Sequence, residues 1–327
     1  MEGIDLTSIL HCKTDDQIVL KNPIMIASGT FGYDGYGRGI TSDMPLGDLG
    51  AVIPKTVTRL QRDGNPEPRW YPKSFREARE AKESIFLNSI GLANPGIEHA
   101  MSVMAPEWEK WDATVVLSMS GESSSEFGEM ARMTKGVAGF EAIELNLSCP
   151  NIEDGAMFSH SPSLARAATE SVRSETHLPV LVKLAPNVPD ITDIVRAVEL
   201  GGADAVTLCN TIPAMAWDYE SGRPILGGIT GGLSGPALKA VALALVHRAS
   251  ASTDLPIIGV GGIFSAVDVV EFLMAGAVAV QIGSANLANL EAPFQIKEDL
   301  VELMCQRSWQ SIDDVKAVAI SQERMHV

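Results

Sequence analysis

Residues 142–151 read AIELNLSCPN. Ile143, Glu144 and Leu145 follow a strand pattern of apolar residues around one acid, which then breaks into Asn146, Ser148, Cys149, Pro150 and Asn151. Apolar strands seldom finish in two carboxamides, a hydroxyl and a thiol unless those groups serve something. The carboxamides offer paired donors and acceptors to a planar polar ligand, and the thiol sits between them. Pro150 has no N–H to extend a ladder and holds Cys149 extended. The plainer reading is a strand that stops, its polar groups capping the next turn.

Outward from this stretch the same design recurs. Apolar, β-branched segments lie at 23–28, 51–58, 114–120, 179–185, 205–210, 256–261 and 277–283. Most are continuous hydrophobic runs, as expected of parallel strands buried on both faces. Amphipathic stretches at 163–176, 191–200, 236–251, 265–275 and 292–306 alternate with them. Eight strand–helix alternations in one composition regime predict a single domain over 1–327, a (β/α)8 TIM barrel with insertions in its βα loops at 59–104 and 211–235. A doubly wound sheet is the competitor. Its dinucleotide fingerprint is missing, because Phe264 stands where Gly259 and Gly261 call for a third glycine.

The 327 residues are 46% hydrophobic, enough for a large core, and carry 41 acidic against 25 basic side chains, a net charge of -16. That balance disfavours nucleic acid as a partner. Cys12, Cys149, Cys209 and Cys305 are scattered, without the spacing of a zinc or iron–sulfur site. Such sparse cysteine usage fits the cytoplasm. The opening residues carry acids and no apolar core, so no signal peptide is expected, and no apolar run reaches the length of a membrane span.

In a barrel the chemistry sits past the strand ends, and here those ends are rich: Ser28; Lys55 and Thr56; Asn146 to Asn151; Lys183; Asn210 and Thr211; Gly261 and Gly262; Gly283 and Ser284. A lysine in an apolar strand is costly without an anion or acceptor. An ion pair would account for one of Lys55 and Lys183 more readily than for both. The paired glycines near 261 and 283, with Ser284, have the makings of a phosphate cradle. Phosphate on one side, lysines beneath and a thiol across the mouth suit a flat phosphorylated cofactor facing a flat substrate. FMN fits. Pyridoxal phosphate, with Lys183 as its Schiff-base partner, is not excluded by this chemistry.

NLSCPN, LNSIGLANPG, KTVT with GNPEPR, LVKLAPN, CNT, GGLSGPALK, IIGVGGI and QIGSAN occur in colinear order. Together they resemble the class 1 dihydroorotate dehydrogenases, and 210–235 is most similar to the 1B, NAD-linked catalytic subunits. The resemblance implies an FMN enzyme oxidising dihydroorotate to orotate in de novo pyrimidine (UMP) biosynthesis. Cys149 would be the base at C5, with hydride passing from C6 to the flavin N5, and Lys55 and Lys183 would complete the catalytic set. Around the pyrimidine it implies Lys55, Asn88, Ser89, Ile90, Gly91, Leu92, Asn146, Asn151, Asn210 and Thr211. Around FMN it implies Ser28, Lys55, Thr56, Asn146, Lys183, Cys209, Gly235, Gly261, Gly262, Gly283 and Ser284. It also implies a homodimer core and a partner subunit carrying FAD and an iron–sulfur cluster. The sequence departs from the family at Ser118, where an asparagine is usual, and after Asn151, where Glu153 and Asp154 bring charge beside an anionic substrate. His160, the histidine nearest Cys149, reads as a surface residue. A fumarate-linked 1A enzyme and a dihydropyrimidine-oxidising barrel acting on uncharged rings are the alternatives.

Overall fold

The computed structural model describes residues 3–12, 17–32, 34–40, 44–72, 85–148 and 157–323. The chain opens with a short hairpin, β1 (Ser8–Leu10) and β2 (Ile18–Leu20), then enters the barrel at β3 (Ile24–Ile26) and β4 (Ala51–Val52). β5 (Trp70–Tyr71) and β6 (Phe86–Asn88) lie in the first insertion. The barrel resumes with β7 (Val116–Met119), β8 (Ala142–Asn146), β9 (Val180–Leu184) and β10 (Ala205–Leu208). The second insertion supplies β11 (Ile212–Ala214), β12 (Trp217–Asp218), β13 (Arg223–Pro224) and β14 (Gly231–Ser234). The last two barrel strands are β15 (Ile257–Val260) and β16 (Ala279–Ile282).

Each of the eight apolar segments of the sequence contains one barrel strand. Their order round the sheet is β4-β3-β16-β15-β10-β9-β8-β7, every pair parallel. A parallel bridge between Val52 and Val115, with Val52 N–H donating to Thr114 O at 2.8 Å, joins the two ends and closes the barrel. The strands are buried along nearly their whole length, which is why they read as unbroken Val, Ile and Leu runs.

The helices outside follow the 3.6-residue period. In Ile191–Leu200 the buried positions are Ile191, Ile194, Val195, Ala197 and Val198, and Asp190 caps the N-terminus by accepting from Thr192 N–H. Pro162–Arg173 starts with proline and is capped by Ser161. The first insertion is shorter than its 59–104 reading: Ile97–His99 already begins a barrel helix that continues through Ala100–Met104 to Ala105–Trp108, burying Ile97, Ala100, Met101, Ala105 and Trp108. No helix among the described residues is long and apolar enough to cross a membrane.

Both ends of the barrel are covered. At the N-terminal end Leu10, Ile18 and Leu20 of the hairpin pack on Met25, Ala51, Val116, Ala142, Leu181, Ala205, Ile258 and Ala279, which open or nearly open their strands. Alternation along the hairpin leaves Val19 exposed on its other face. Over the C-terminal end the two insertions combine into one antiparallel sheet of order β11-β14-β6-β5. The 59–104 and 211–235 insertions, separate in sequence, are thus one structural unit.

Candidate active site

Between the strand ends and this upper sheet lies a cavity of about 760 Å³. One side of it is the wall expected for a phosphate. Gly261 and Gly262 follow β15, and Gly283 and Ser284 follow β16, all four lining the cavity. At Gly262 φ is +72°, and a Cβ there would lie 2.7 Å from Lys239 N and 3.0 Å from Gly235 O, so the backbone can take this course only with glycine. Ser284 Oγ donates to Ser234 Oγ at 2.8 Å, which brings a second hydroxyl to the same wall from β14. Gly235 does not line the cavity. Its carbonyl stands behind Gly262, at the start of the turn Pro236–Leu238, because its own φ of +96° turns the chain away there.

The opposite wall is a run of short polar side chains. The Ser28 and Thr56 hydroxyls meet at 2.9 Å, and Thr56 Oγ1 is also 2.8 Å from Ser118 Oγ. Asn146 Nδ2 reaches the same Thr56 oxygen at 3.5 Å. Asn210 Nδ2 donates to Asn146 Oδ1 at 3.2 Å and to Ser148 Oγ at 2.9 Å, and its own Oδ1 accepts from Thr211 N–H. Ser118 is buried and does not face the cavity, so the hydroxyl at this departure from the family holds Thr56 in place.

The cations differ in company. Lys183 is 6% exposed, donates to Gln281 Oε1 at 3.0 Å and lies 4.0 Å from Glu144 Oε1. Among the described residues no acceptor bonds the Lys55 ammonium. Burial, and then the nearby Arg69, push its pKa down to about 8. Among the described residues the cavity lining carries four cations, Arg38, Lys55, Arg69 and Lys183, against two acids, Asp34 and Glu67. That inverts the charge of the molecule as a whole, which carries -16. Cys209 also lines the cavity, but burial pushes its thiol up to about 12, so it stays protonated and acts as a small packing group.

The upper sheet supplies the rest. Asn88, Ser89, Ile90, Gly91 and Leu92 line the cavity from the end of β6, and Thr211 does so from the start of the second insertion. Asn88 Nδ2 donates to Gly232 O at 3.3 Å, and Ser89 Oγ donates to Thr230 O at 2.8 Å. Cys149 and Asn151, with Glu153 and Asp154, lie outside the described residues. His160 is exposed. Several lining residues were not singled out in the sequence: Asn65, Glu67 and Arg69, which sit inside the quoted GNPEPR, and Thr230 and Ser234. Arg69 is fixed by donating to Asn65 O at 2.7 Å and Asp63 O at 3.1 Å.

The dihydroorotate dehydrogenase family model matches residues 12–304. The chain belongs to the dihydroorotate dehydrogenase family. Among curated relatives of this family it is similar to three proteins named dihydroorotate dehydrogenase B (NAD(+)), catalytic subunit. That of Desulforudis audaxviator (strain MP104C) is 40% identical over 303 residues, covering 92% of this chain and 95% of the relative. That of Bacillus pumilus (strain SAFR-032) is 40% identical, covering 90% and 92%. That of Malacoplasma penetrans (strain HF-2) is 40% identical, covering 89% and 92%. The dihydroorotate dehydrogenase match therefore takes in the barrel and both insertions, and enzymes of this family are in general flavin-dependent.

Proposed function

We propose that this chain is the catalytic subunit of a cytoplasmic 1B dihydroorotate dehydrogenase, which oxidises dihydroorotate to orotate in pyrimidine biosynthesis. The observation that carries the reading is the cavity itself, with a glycine and hydroxyl wall at β15 and β16 and cations beneath and opposite. This donor set fits FMN: Gly261, Gly262, Gly283, Ser284 and Ser234 would hold the phosphate, while Ser28, Thr56, Asn146, Cys209 and Lys183 would line the ring. When bound, FMN would supply the hydride acceptor.

The chain's own residues do the remainder. Lys55 attracts the substrate carboxylate, an interaction made strong by its partial burial. Asn88, Asn146, Asn151, Asn210 and Thr211 orient the pyrimidine ring through its amide groups, and the backbone at 89–92 closes over it. Lys183 places positive charge where negative charge develops on reduction. Cys149 removes the C5 proton, as the resemblance implies. The requirement for a cation at a carboxylate favours orotate over uncharged pyrimidines.

A yellow purified protein, bleached anaerobically by dihydroorotate, is the expected result. Cys149→Ala should keep the yellow colour while the rate of bleaching falls by about two to four orders of magnitude. A variant that bleaches within about tenfold of the parent would remove Cys149 from the role. We further propose a partner subunit, supported by the name catalytic subunit that the relatives carry, and, as the resemblance implies, FAD and an iron–sulfur cluster on that partner and a homodimer core.

A further inference from the structure

Beneath the cavity the barrel holds a buried polar layer that recognition of a pyrimidine does not call for. Glu144 is fully buried and does not line the cavity. Its Oε2 accepts from Gln281 Nε2 at 2.6 Å and from Thr207 Oγ1 at 3.1 Å. Gln281 Oε1 in turn accepts from Lys183 Nζ at 3.0 Å. The other carboxylate oxygen of Glu144 has no hydrogen-bond partner among the described residues and lies 4.0 Å from the same ammonium. The four residues come from four strands, β8, β9, β10 and β16. The donor pattern leaves little freedom. A carboxamide that gives its N–H to Glu144 must turn its oxygen toward Lys183.

We propose that Glu144 is a positioning residue that sets the reduction potential of the bound flavin by restraining the charge of Lys183. The proposal rests on the reading of Lys183 as the cation beneath FMN. An unbalanced ammonium there would favour the reduced and more negative flavin strongly. A carboxylate 4.0 Å away, in an interior where charges are weakly screened, offsets much of that field. Through Gln281 it also fixes the depth of the ammonium. The protein thereby limits how tightly it holds electrons that must leave again.

Glu144→Gln keeps the shape of the side chain and removes its charge. Anaerobic equilibration with a reference dye should show the reduction equilibrium moved at least about tenfold toward reduced flavin, about 30 mV for a two-electron couple. FMN content should match the parent. In a Lys183→Met background the same substitution should move the equilibrium by less than about threefold, or about 14 mV. A carboxyl that merely supports the barrel would alter FMN content or thermal stability and leave the potential alone. Glu144→Gln protein with bound FMN and an unchanged equilibrium would overturn the proposal, as would an equal shift without Lys183. If Glu144→Gln does not fold, Glu144→Met removes the same charge without adding a second carboxamide. It should shift the equilibrium in the same direction by at least about threefold, and no shift would overturn the proposal. A parent protein that neither carries nor takes up FMN would instead sink the flavin reading, and this proposal with it.

Discussion

Lys55 is the group in the cavity whose chemistry is set most by its surroundings. Burial first, and the Arg69 charge second, bring its pKa to about 8, below the ordinary 10.5. Below about 8 the lysine is charged in both folded and unfolded chains. Between about 8 and 10.5 the folded chain releases its proton first, so the unfolded chain binds more protons and stability rises with pH through that window. Binding of an anion has the opposite dependence, because it needs the charged form. Orotate affinity, followed by calorimetry, should therefore be flat below pH 8 and fall by up to about tenfold per pH unit above it. Lys55→Met should raise the thermal midpoint of the ligand-free protein and abolish this pH-dependent affinity, and orotate binding that stays unchanged at pH 9.5 would contradict the assignment. Lys55 and Lys183 were legible because a lysine stands out in an apolar run, although only Lys183 lies within its strand and Lys55 stands past the end of β4. Glu144, Thr207 and Gln281 interrupt their strands in the same way. Applied to Glu144, the rule that a buried charge seeks a counter-charge would have paired it with Lys183.

At the scale of elements, the strand pairing above the barrel sets where the cavity-lining residues of the two insertions lie. β14 pairs with β11 and β6 on its two sides, with Gly232 opposite Pro213 and Asn88. A Cβ on Gly232 would collide with Thr211 Oγ1, so this strand is glycine-bearing because the threonine that faces the cavity crosses its path. Gly232→Ala should displace Thr211 and Asn88, leave FMN content unchanged, and lower kcat/KM for dihydroorotate by up to about a hundredfold. Steady-state kinetics beside flavin absorbance would check it, and an unaltered kcat/KM would show that the sheet tolerates the change. The barrel strands were readable because parallel strands buried on both faces leave an unbroken apolar signal. The upper sheet gave no such signal. Its strands are two to four residues long, one reads Gly-Gly-Leu-Ser, and their partners are far apart in the chain. The hairpin at 8–20 escaped for the same reason, each strand having three residues.

For the whole molecule, the packed hairpin covers one end of the barrel, and the cavity lies at the other. The sequence has no glycine fingerprint for a nicotinamide dinucleotide beside its barrel strands. The isolated chain should pass electrons from dihydroorotate to an artificial dye but not to NAD, and should gain NAD activity when its partner subunit is added. Rapid NAD reduction by the chain alone would contradict this, and rapid fumarate reduction would place it with the 1A enzymes. The upper sheet has a consequence for ancestry. Asn88 and Gly232 touch across 144 positions of chain, each fixing the edge on which the other lies. A change of length or register in either insertion therefore has to be matched in the other. Exchanging one of them between relatives should give misfitted hybrids, whereas exchanging both should give working ones, because the two stretches are inherited in effect as a single module written in two places.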